Sequence, residues 1–139
     1  MKVRLNRRRD EGGAAAVEFA LVVLPFVTLV FGAIDFGWAI NNDVMVNNAA
    51  REGAREGSLN ANAAAIQAEA LASYSGSGTP IVTVSCRNAA GGACSLASAA
   101  PGDTVIVTVK VQHDWITPIG SLFDPDGKTL SKTAEMRIE

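Results

Sequence analysis

Between Phe19 and Ile34 the chain carries no charged side chain, and widening that window to Ala14–Ile40 admits only Glu18 and Asp35. A helix crosses a hydrocarbon core of about 30 Å with about 20 mostly apolar residues, and residues 14–40 supply 27. A core helix of a soluble protein of this length would show a polar face at 3.6-residue spacing, and this run has none. The pattern therefore predicts a membrane-spanning helix in preference to a buried one. A secretory signal peptide has an apolar region of only about 7–15 residues and a small-residue cleavage site at its far end. Here the run is longer and leads into Asp35-Phe36-Gly37-Trp38, while the small residues, Gly12, Gly13 and Ala14–Ala16, come first. Pro25 removes one hydrogen bond in the middle of the helix and tends to kink it. Gly32 and Gly37 are read as small-residue packing sites.

Past Ile40 the chain becomes alanine-rich and polar. Its composition and the absence of proline predict continued helix to about Ser58, a break near Leu59-Asn60, and a second helix from about Asn62 to Tyr74. Ile66, Ala70 and Leu71 form the apolar stripe expected of that second helix. The repeat Arg51-Glu52, Arg55-Glu56 has two readings, a solvated face with i, i+4 ion pairs or a contact surface for another subunit. Gly53 and Gly57 weaken the helix there. Residues 75–80, SGSGTP, read as a linker.

From Ile81 the period changes to two. Val82, Val84 and Cys86 share one face of a first strand. After the turn Pro101-Gly102-Asp103, Val105, Val107, Val109 and Val111 oppose Thr108, Lys110 and Gln112 in the clearest one. Asp124-Pro125-Asp126-Gly127-Lys128 has turn chemistry, and Thr129–Ile138 alternates again with Leu130, Ala134, Met136 and Ile138 on one side. Three strands with one apolar face need a cover, and the helix beyond the span is the candidate. The expected fold class is α+β, a long N-terminal membrane-spanning helix that continues into a small head of helix plus three-stranded antiparallel sheet. Its expected parts are a leader, 1–13, a span, 14–40, a helical connector, 41–74, and a β-rich head, 75–139.

The chain's 139 residues make one domain, with a net charge of −2 that conceals an asymmetry. Lys2, Arg4, Arg7, Arg8 and Arg9 face only Asp10 and Glu11 in the leader, so the remainder is acidic. Cations before the helix and almost none just after it predict a cytoplasmic N-terminus and a head outside. The leader itself has no periodicity and is expected to be disordered or removed. Without a basic patch outside it, nucleic acid is not an expected partner. Cys86 and Cys94 lie on the side that this topology places outside the cytoplasm, where a disulfide is the default, worth about 2.5 kcal/mol by the chain-entropy model. Two free thiols are the alternative. No second cysteine pair accompanies them, so no metal site is expected.

Catalytic chemistry is not expected either. His113, beside Asp114, is the only imidazole, and no nucleophile motif stands near it. Asp124-x-Asp126-Gly127 begins like a calcium loop but lacks the further ligands and the closing glutamate. The chain is read as a non-enzyme with no cofactor and no small-molecule substrate.

A short basic leader, Gly13, Glu18 five residues later, Phe19 next and then a hydrophobic helix resemble the class III signal of type IV pilin-like proteins. Within that group, GAAAVEFALVVLPFVTLVFGAIDFGWAI followed by NNAAREGAREGS resembles the TadE-like family, minor pilins or pseudopilins of the tight-adherence (Tad, or Flp) pilus system. The likeness runs from about Gly12 to Ser58, and LSKTAEMRIE resembles the family's last strand. It implies a pilin-like fold, processing by a prepilin peptidase between Gly13 and Ala14, and a role for Glu18 and Phe19 in pairing helices during assembly. The implied partners are other pilin or pseudopilin subunits, the pilus assembly platform and membrane lipid. The implied location is the bacterial inner membrane, with the head periplasmic or extracellular. An anchored exported binding domain that does not polymerise is the competing reading, and a membrane-tethered enzyme is a third, disfavoured by the missing catalytic groups.

Overall fold

The structure is a computed structural model that describes residues 8–139, with side chains described from Gly12 onward. Residues 1–7, and with them Lys2, Arg4 and Arg7 of the leader, lie outside the described residues. The first helix, α1, is Arg8–Leu59, so it begins inside the expected leader, six residues before Ala14. Its 52 residues extend about 78 Å at 1.5 Å per residue. It runs through Pro25 unbroken, and Thr28 Oγ1 donates to the Leu24 carbonyl at 2.9 Å, a local bond of the kind that shields a carbonyl in an apolar helix. The break comes at Leu59, where expected. Asn62 then caps the second helix, α2 (Ala63–Ala72), its Oδ1 accepting from Ala64 N at 2.9 Å and Ala65 N at 3.3 Å.

The β-structure is one antiparallel sheet made of β1 (Ile81–Arg87), β2 (Ala93–Cys94), β3 (Thr104–His113) and β4 (Lys128–Arg137), in the order β2-β1-β3-β4. It has four strands rather than the expected three. The extra one, β2, is two residues long and too short to show a period; it exists because Cys94 sits directly opposite Cys86 and is disulfide-bonded to it. Asn88 closes the intervening loop by accepting from Ala90 N at 3.1 Å and Gly92 N at 2.8 Å. Gly127 takes the positive φ of 68° that the turn into β4 requires.

The valine ladder of β3 is the centre of the core. Val105, Val107, Val109 and Val111 are fully buried, and above them lie Val46, Ala49, Ala50 and Ala54 of α1 with Ile66 and Ala70 of α2. The helix side is made of small residues, which brings the backbone of α1 close to the sheet. A Cβ on Gly53 would stand 2.9 Å from Ala70 Cβ, and one on Gly57 would stand 2.8 Å from Val105 Cγ2. These glycines, expected only to weaken the helix, are thus the positions where α2 and the sheet press closest against it. Leu71, expected on the buried stripe of α2, is 46% exposed, because Ile66 and Ala70 already fill the narrow contact. The expected i, i+4 ion pairs are also replaced. Among the described residues Arg55 pairs with Glu52 at i, i+3 and 3.6 Å, on a solvated face where such pairs contribute little.

Polar contacts fix α1 to the rest. Lys132 Nζ, on the helix-facing side of β4, meets Asp43 Oδ2 at 2.8 Å. Asn42 is fully buried; it accepts from Ser77 N at 2.9 Å, and its Nδ2 lies 2.9 Å from Nδ1 of the buried His113. With Asn42 Oδ1 engaged as acceptor, Nδ2 is the donor and His113 Nδ1 accepts. His113 is accordingly part of the core, edge-on to Trp115 with ring centroids 5.3 Å apart. Tyr74 donates to the Ser77 carbonyl, and burial pushes its phenol above the ordinary value. At the far end of α1, Glu139 N donates to the Ser58 carbonyl at 3.1 Å.

Candidate membrane and assembly surface

From Val17 to Ile34 no side chain of α1 is buried. Ten of them are exposed large apolar groups, Phe19 at 68%, Leu21 at 71% and Leu29 at 73% among them. Covering one such side chain is worth about 1.5–3 kcal/mol. Ten together come to about 15–30 kcal/mol, more than the 5–15 kcal/mol that holds an ordinary domain folded. A helix with this surface is stable only where lipid or other apolar helices surround it. Among the described residues one helix, Gly12–Leu59, is long and apolar enough to cross a membrane, and its apolar window is 0% buried.

A carboxylate stands at each end of this stretch, Glu18 and Asp35, about 25 Å apart along the axis. Their surroundings differ completely. Glu18 and Phe19 are exposed and remote from the head, and among the described residues Glu18 forms no ion pair. Gly13 and Ala14 are exposed on the first turns of α1, with open space around the Gly13 Cα. Asp35 is 4% exposed and fully engaged. Its Oδ1 accepts from Ile116 N at 3.1 Å and Thr117 N at 3.0 Å, and its Oδ2 accepts from Thr117 Oγ1 at 2.6 Å. Three donors compensate the loss of water around the charge, and among the described residues no cation pairs with it.

Those donors belong to the entry into a third helix, α3 (Pro118–Phe123), which follows β3. Thr117 is its N-cap and Pro118 holds the first helical position, a pairing suited to both residues. Gly120 is needed because a side chain there would collide with Asp35 Oδ2 and come within 2.8 Å of Trp115. Asp35 therefore clamps α3 against α1. Between them lies an apolar groove lined by Thr28, Gly32 and Phe36 of α1 and by Ile119, Gly120 and Phe123 of α3. Leu122, beyond its rim, is 76% exposed, and Phe123 at its edge 80%. Sequence reasoning missed this arrangement, although Thr117-Pro118 is a helix-start signal and Asp35 interrupts an otherwise uncharged run.

The head's contacts with α1 begin at Asp35, before the boundary expected at residue 41. Cys86 and Cys94, paired as expected with Cα atoms 5.0 Å apart, lie far along the sheet from this clamp. The ligand atoms of Cys86, Cys94 and Asp103 lie within 4.8 Å of one another, but both sulfurs are spent in the disulfide and neither is available as a thiolate. Asp103 instead accepts from Ala100 N at 2.9 Å and Ala89 N at 3.2 Å.

Residues 13–55 match the family model described as TadE-like protein. No curated protein and no solved structure matches the chain. The matched segment opens at Gly13, contains Glu18, Phe19 and Asp35, and closes within the part of α1 that packs on the sheet. Over residues 13–55 the chain is similar to the TadE-like family, in line with the resemblance read from its sequence.

Proposed function

We propose that the chain is a minor pilin, or pseudopilin, that takes part in assembling a Tad (Flp) pilus through its N-terminal apolar helix. One observation carries the reading: the exposed apolar stretch of α1 bears Glu18 near its start, inside the TadE-like segment, and among the described residues Glu18 forms no ion pair. A carboxylate that deep costs at least about 2.5 kcal/mol at mid-bilayer and less toward an interface, so its presence calls for a partner. In the proposed cycle the chain inserts with its N-terminus cytoplasmic and its head outside, and a prepilin peptidase cuts between Gly13 and Ala14. Cleavage exposes an α-amino group with an ordinary pKa near 8. That amine on one subunit meets Glu18 of its neighbour, each offsetting the burial cost of the other. Other pilin subunits and the assembly platform are the partners, and the chain has no catalytic role.

The test is the first residue of the protein isolated from membranes of cells that carry the peptidase. Ala14 is expected, Gly13→Leu should leave the leader in place, and Glu18→Ala should insert normally while failing to co-purify with other subunits. A protein that still begins at Met1 would transfer the assignment to an anchored, non-polymerising exported domain.

A further inference from the structure

We infer that α3 is a second membrane-contact element, which lies in the outer interface of the bilayer beside α1 and sets how closely the head sits on the lipid. The inference rests on the reading of α1 as a membrane span. If the hydrocarbon ends with the uncharged run at Ile34, then Thr28 lies about 9 Å inside it, at 1.5 Å per residue. Thr28 and Gly32 line the same groove as Ile119 and Phe123, so the clamp at Asp35 holds α3 level with the last two turns of the span.

The side chains fit that position. Ile116, Leu122 and Phe123 are 56%, 76% and 80% exposed, and Phe123 lines the groove with Thr28, Gly32 and Phe36, which sets this apolar surface beside the last turns of the uncharged run. Trp115 lies at the same groove, as aromatic side chains do at membrane–water boundaries. Asp124 on the rim, followed by Asp126 and Lys128, keeps the element at the interface, since a carboxylate costs less there than at mid-bilayer. Lipid is favoured over a neighbouring subunit because the groove lies at the level of the apolar run, whose large side chains Phe26, Leu29, Val30 and Ile34 stay exposed on the faces of α1 not turned to α3.

The geometry makes Asp35 a membrane-depth device. A buried, fully hydrogen-bonded carboxylate replaces the lipid-facing carboxylate that a bare helix would carry, and in its place the protein shows lipid the apolar residues of α3.

The experiment uses the full chain in vesicles of phosphatidylethanolamine and phosphatidylglycerol. An environment-sensitive fluorophore is attached through Leu122→Cys, Leu24→Cys or Ser131→Cys, since the native cysteines are bonded to each other. Quenching is then compared between lipids with a nitroxide on the acyl chain and aqueous iodide. The probe at position 122 is expected to lose most of its emission to the nitroxide lipid, as the one at 24 does, and little to iodide, while the probe at 131 does the reverse. Quenching at 122 by iodide alone overturns the inference in favour of an exposed head surface. Protection from both quenchers overturns it in favour of a second copy. If the probe at 24 also escapes the nitroxide lipid, the membrane reading of α1 falls and the inference with it, a result distinct from failure at 122 alone.

Discussion

The close approach of α1 to β3, Gly57 against Val105, allows two opposing effects to be weighed. Replacing a helix-interior glycine by alanine ordinarily stabilises by about 1 kcal/mol through helix propensity. At Gly57 the new Cβ would stand 2.8 and 2.9 Å from the Val105 methyls and 3.1 Å from Ile66 Cδ1, distances that force the core to shift. Overpacking of this kind costs about 1–3 kcal/mol, so packing wins and Gly57→Ala should lose about 1 kcal/mol net. For the full chain in detergent micelles, followed by near-ultraviolet circular dichroism, that corresponds to a drop in urea midpoint of about 0.5 M with a slope of about 2 kcal/mol per molar. Gly37→Ala, where nothing lies within 4 Å, is the control and should not lower the midpoint. Val105→Ala removes the methyls that clash, so the double variant should be less destabilised than the two single changes summed, the sign of direct contact. A Gly57→Ala midpoint as high as that of the control, with additive double-variant behaviour, would refute the close packing of α1 on β3.

Two other changes probe the ends of the head. Replacing Cys86 and Cys94 together by serine releases β2 and removes a cross-link worth about 2.5 kcal/mol; an unchanged unfolding midpoint, or quantitative alkylation of both native thiols, would show that the bond is absent. Asp35→Ala leaves Thr117 Oγ1 and the Ile116 and Thr117 amides without their acceptor, so α3 should come loose from α1 while the valine core stays intact. Faster amide exchange confined to residues 115–123 is the expected signature, and unchanged protection there would rule out the clamp.

What the sequence made legible followed a local period. The Val105–Val111 ladder and the Leu130–Ile138 alternation announced β3 and β4 because burial of one sheet face repeats every second residue. The uncharged run announced the apolar half of α1 by length alone, and Leu59-Asn60 marked its end. The missed features depend on residues far apart in the chain. Gly53 and Gly57 look like helix-weakening choices until Ala70 and Val105 are placed against them, because propensity is a local quantity and close packing is not. Asp35 showed in the sequence only as one of two charges in the apolar window, and its partners stand 81 and 82 residues away. Cys94 was expected to bond Cys86, but two residues carry no alternation from which β2 could be recognised. In the site, Cys86 and Cys94 were placed correctly from cysteine count and topology, whereas the roles of Glu18, Gly13 and Ala14 rest on resemblance and await the cleavage experiment.

The uninterrupted course of α1 has a mechanical consequence. One helix serves as both stem and central beam of the head, secured along its length at Asp35, Asn42, Asp43, Gly57 and Ser58. No flexible joint separates the apolar half from the sheet. A thrust or a twist delivered to the apolar end of the rod is therefore carried straight into the sheet packed along its other half, as torque passes along a drive shaft.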